Sequence, residues 1–69
     1  MNDKTAIEML RRSDMATMHM QIADELVSEV YEYGPQYMRG ESLADALKSA
    51  QIAKENLSKL INILKKAGA

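Results

Sequence analysis

The chain has 69 residues, with nine Lys and Arg against ten Asp and Glu, three tyrosines as its only aromatic residues, and no cysteine. A domain of this size buries only about 60% of the surface its unfolded chain exposes. With no disulfide to brace it, apolar burial and chain entropy nearly cancel, so a partner chain is the expected support. Absence of cysteine suits a reducing compartment. No apolar run reaches the ~18 residues of a membrane span, and the charged segment 1–12 does not read as a secretion signal. The expected location is cytoplasmic.

Taken in order, the chain reads as a single domain over residues 1–69 with two helices. Asn2 or Asp3 is suited to cap the first, and Ala6, Ile7, Met9 and Leu10 begin its apolar pattern. Helix formers continue to Tyr33, giving a helix over about 3–33. Gly34 provides the backbone freedom that ends a helix, and Pro35 prevents its continuation. A turn over 34–41 follows. Ser42-Leu43-Ala44-Asp45 then fits a capping box at the start of a second helix over about 42–66. Lys65 and Lys66 suit its negative end, and Gly68 stops it. Two long helices joined by a short loop predict an all-α, antiparallel two-helix hairpin.

In the second helix, Leu43, Ala46, Ala50, Ala53, Leu57, Leu60 and Leu64 recur at alternating steps of three and four, the spacing of a coiled-coil seam. Its alanine half is expected to face the bulky Met18, Ile22, Leu26 and Val30 near the end of the first helix. The first helix has more apolar surface than one neighbour covers. From Met18 round to Tyr31 it spans roughly 220°, against the ~100° stripe of an ordinary surface helix. Ile52 and Ile63 add a smaller excess on the second helix. A homodimer packed as a four-helix bundle is therefore expected, with Met15, Met20, Val27, Ile52 and Ile63 at the dimer or partner interface. Charge is also divided. Asp24 to Asp45 holds six acids and one base, Arg39, while the remainder holds eight bases and four acids. Head-to-tail subunits would pair opposite ends.

Candidate sites are few. Met15, Met18 and His19, within the run MATMHM, offer the soft thioethers and imidazole that bind Cu(I). Methionine is equally a filler of irregular cores and adaptable surfaces, and no second His or Cys completes a ligand set, so no metal or cofactor is expected. With no cysteine nucleophile, no serine spaced against His and an acid, and no glycine-rich phosphate loop, the chain does not read as an enzyme. Lys48, Lys59 and Lys66 align along the second helix, as a nucleic-acid footprint would, but Glu41, Asp45 and Glu55 share that side. The tyrosines cluster at the turn, and tyrosine and arginine dominate interface hot spots. Tyr33, in line with Leu26 and Met15, is expected to plug the end of the bundle. Tyr31, Tyr37, Met38 and Arg39 are the candidate partner-binding residues.

Met38 to Gly68, opening MRGES and closing AKENLSKLINILKKAG, resembles the second half of the co-chaperones that hold type III secretion needle subunits. There an arginine-glycine turn leads into an apolar helix, and the resemblance implies a heterodimer. In length and hairpin plan the whole chain resembles small phage-encoded anti-host proteins, including anti-quorum-sensing proteins that bind and block a bacterial transcriptional activator. That resemblance implies a dimeric inhibitor with more than one target. The architecture is also similar to plasmid-encoded RNA-binding hairpins that dimerise into four-helix bundles.

Overall fold

The computed structural model describes residues 2–34 and 40–68. Its elements are α1 (Asp3–Tyr33) and α2 (Gly40–Lys66), which pack against each other as an antiparallel hairpin of 49 × 17 × 15 Å. The long dimension is that of one helix, since 31 residues rise about 46 Å.

The ends of the helices follow from local chemistry. Asn2 Oδ1 accepts the Thr5 N–H at 2.8 Å, satisfying one of the donors that the first turn of α1 leaves open. At the other end the Gly34 N–H donates to the Val30 carbonyl at 2.9 Å, with Gly34 at φ +92° and ψ 159°. Side-chain-bearing residues are strained in that region. Gly34→Ala is thus expected to cost about 1–3 kcal/mol, read as an earlier thermal transition. An unchanged transition would show that the chain leaves α1 by another path. Gly68, at φ +107°, ends α2 in a similar way. α2 begins at Gly40, earlier than the sequence suggests. Ser42 is therefore inside the first turn, half-buried, instead of capping it.

The helices meet along Thr5, Met9, Arg12, Ala16, His19, Ala23, Leu26 and Val30 of α1 and Ser42, Ala46, Ser49, Ala53, Asn56, Leu60 and Ile63 of α2. Every one of these is half-buried or buried. Each series alternates steps of four and three, the spacing that keeps one helix edge against its neighbour. The line is built of small and polar side chains. Among the described residues the buried apolar ones are both alanines, Ala23 at 4% and Ala53 at 6% exposure, joined by Ser49 and Asn56. Both ends of the Asn56 amide are engaged: Nδ2 donates to the Ile52 carbonyl at 2.9 Å and Oδ1 accepts from Arg12 Nη1 at 3.0 Å. Arg12 Nε in turn donates to Glu8 Oε1 at 2.8 Å. This cross-helix link ties down the register between the middle of the seam and the chain ends.

The leucine pattern does not lie on that line. Ala46, Ala53 and Leu60 do, but Leu43, Ala50, Leu57 and Leu64 sit one residue further round and are exposed. On α1, Leu26 and Val30 are half-buried as expected, whereas Met18 and Ile22 are exposed on a flank. The physical reason is close approach. Small side chains let the helices meet along the serine and alanine edge, and this turns the leucines aside.

Candidate protein-interaction surface

Two further stripes run beside the seam. One comprises Leu10, Ser13, Thr17, Met20, Asp24, Val27 and Tyr31 of α1; the other comprises Leu43, Leu47, Ala50, Lys54, Leu57, Ile61 and Leu64 of α2. Both repeat at steps of three and four, so each forms a continuous band along its helix. They lie on the same side of the hairpin, because Thr17, Met20 and Asp24 line one shallow groove with Ala53, Lys54 and Leu57. The result is a broad, open apolar face. Leu10, Met20, Val27, Leu43, Leu47, Leu57, Ile61 and Leu64 all remain exposed on it, Leu57 by half of its surface. Among the described residues of the two stripes, and apart from Asp3 at one end, Asp24 and Lys54 are the only charges.

The opposite side has a different character. Lys4, Glu8, Arg11, Glu25, Glu29 and Glu32 of α1 and Asp45, Lys48, Glu55, Lys59 and Lys66 of α2 surround Met15, Met18, Ile22 and Ile52. At the chain ends Lys4 and Glu8 line a shallow depression with Ile63 and Lys66, which places these stripes together. Lys59 Nζ lies 3.4 Å from Glu55 Oε1, an exposed pair one turn apart. The lysine row is thus interleaved with acids, and it forms part of a mixed-charge surface.

The residues singled out from the sequence are distributed between these sides. Met20 and Val27 stand on the apolar face. Met15 and Ile52 are half-buried on the charged side, and Ile63 is half-buried within the intramolecular seam. Tyr31 is 91% exposed at the turn end of the apolar face, continuing the stripe of Val27. Tyr33 continues the line of the seam beyond Val30 and is more than half exposed. Tyr37, Met38 and Arg39 lie outside the described residues. His19 occupies the seam, and its Nδ1 is buried without a hydrogen-bond partner. Met15 and Met18 lie to one side of it. Among the described residues no group of three His, Cys, Asp or Glu is placed to hold a metal ion.

Sequence reasoning gives no interface role to Leu10, Leu47 and Ile61. Their signal was present as a second series at steps of three and four, offset by one residue from the contact line. It was concealed because Leu43, Leu57 and Leu64 had been assigned to the intramolecular seam.

The fold and surface define a two-faced helical hairpin, apolar on one side and charged on the other. No helix among the described residues is long and apolar enough to cross a membrane. No protein-family model matches the chain, and no curated protein and no solved structure matches it.

Proposed function

We propose that this chain is a small dimeric helical protein that binds another protein and inhibits or sequesters it. The observation that carries the reading is the open apolar face, set on a hairpin whose buried apolar side chains, among the described residues, are two alanines. Such a core supplies little of the burial that offsets chain entropy. The surface area points the same way. At 5505 Å² it exceeds the roughly 4,300 Å² expected of a compact 7.7 kDa monomer. The excess is more than the ~800 Å² that each partner contributes to a standard interface. A four-helix bundle of two hairpins would cover the leucines and leave the charged side, with Tyr31 at the rim of the covered face beside the turn, for a target.

The proposed target is a bacterial transcriptional activator or another regulator, bound in the manner of a phage-encoded anti-activator. Resemblance in length and hairpin plan supports that form, and the exposed Met18, on the charged side, suits a surface that adapts to more than one partner. Tyr31, Tyr37, Met38 and Arg39 are the proposed contact residues, supported by the near-complete exposure of Tyr31. A second reading, a secretion co-chaperone working as a heterodimer, draws on the same small core, which suits a chain that completes its fold on another protein.

The test is to capture a regulator from bacterial lysate and titrate the purified chain against it in a transcription assay, with a calorimetric affinity. Tyr37→Ala and Arg39→Ala are expected to shift folding stability by under ~0.5 kcal/mol while weakening target affinity roughly thirtyfold or more. If Arg39→Ala binds as wild type does and Tyr37→Ala melts early, the tip is structural and the target contacts lie along the helices. A chain that is unfolded alone and folds only with a secretion subunit favours the co-chaperone reading.

A further inference from the structure

We propose that a second copy of this chain covers the apolar face in antiparallel orientation, the turn end of each hairpin lying beside the chain ends of the other. The inference deepens the dimer reading above and rests on it. Its first support is that the α2 stripe is nearly palindromic about Lys54. A two-fold axis crossing the helices there sets Leu43 against Leu64 of the second copy, Leu47 against Ile61, and the small Ala50 against the large Leu57. The α1 stripe behaves alike about a point between Thr17 and Met20. There the same operation sets Leu10 against Val27, and the Ser13 hydroxyl against the Asp24 carboxylate.

The second support is that both pivots fall at one level of the hairpin. Thr17, Met20 and Lys54 line the same groove, so a single axis serves both helices. Two unrelated stripes have no reason to share a pivot, whereas a self-complementary surface requires one. The third is charge. The half from Asp24 to Asp45 holds six acids against one base, and the remainder eight bases against four acids. Antiparallel copies bring acidic ends to basic ends, while parallel copies would stack acid on acid. At the centre each Lys54 meets its own counterpart, and Asp24, which lines the same groove about a turn and a half of α1 away, sets a carboxylate near each to offset the repulsion.

Because the chain has no cysteine, single thiols report the orientation directly. Lys54 is exposed, so Lys54→Cys leaves the hairpin intact. A residue on a two-fold axis approaches its own copy, within the few ångströms a disulfide spans. Mild oxidation of Lys54→Cys is expected to give a covalent dimer as the main product. An equimolar mixture of Ala50→Cys and Leu57→Cys chains is expected to give mainly the mixed dimer. A light-scattering dimer that stays uncross-linked in both experiments, or one that links Thr17→Cys to Lys54→Cys chains instead, overturns the antiparallel arrangement and leaves the dimer standing. A monomeric mass for the wild-type chain overturns both.

Discussion

Leu57→Glu dissociates the dimer and unfolds most of the chain at micromolar concentration: this is the largest effect expected of a single substitution. In the isolated hairpin Leu57 leaves half of its surface in water. Covering the remainder contributes about 2 kcal/mol per side chain. Two-fold symmetry counts it twice, so its loss raises the dimer dissociation constant roughly 1,000-fold, before the desolvation of a carboxylate is added. Sedimentation and circular dichroism would show loss of mass and helix together. Retention of both would place Leu57 on a surface that no copy covers.

The second large effect separates two registers of the same helix. Ala53 is 6% exposed where α2 meets α1, and leucine there forces the helices apart. Overpacking of this kind costs about 1–3 kcal/mol. That is a large fraction of the stability of so small a domain, which amounts to roughly 0.05–0.15 kcal/mol per residue. Ala50, by contrast, is exposed on the apolar face. Ala50→Leu is expected to leave the contact between α1 and α2 unchanged and to weaken the dimer instead, because Ala50 meets Leu57 of the second copy. Light scattering and denaturant unfolding of the two variants together decide the matter. An Ala50→Leu chain that stays a dimer yet unfolds earlier than Ala53→Leu would restore the leucine seam as the intramolecular contact.

Why the seam was misplaced while the hairpin was legible is a matter of which signals are local. Gly34-Pro35, the Asn2 cap and the terminal Gly68 act on their own backbone, so the helix ends follow from adjacent residues. The start of α2 was displaced because Ser42 has two available roles, cap or seam, and the packing of α2 on α1 takes it for the seam. Apolar periodicity reports all the surface that is to be covered, by whatever covers it. On α2 the strongest stripe, from Leu43 to Leu64, lies between the edge that meets α1 and the open face. Such a direction points at the centre of a four-helix bundle and away from a single neighbouring helix. The intramolecular edge itself is marked by Ser49 and Asn56, which hydrophobicity alone would assign to solvent. Pairing Asn56 with Arg12 needs a contact 44 residues distant in sequence, which no local pattern announces. The binding role of the tip was legible only as a concentration of tyrosines, and it stands as a proposal carried by Tyr31.

Static light scattering over a concentration series, with thermal unfolding followed on the same samples, shows whether a second copy covers the apolar face. The expected mass is about twice the monomer's 7.7 kDa at micromolar concentration, with an unfolding midpoint that rises as the protein is concentrated. A mass of 7.7 kDa with a sharp midpoint independent of concentration would contradict it.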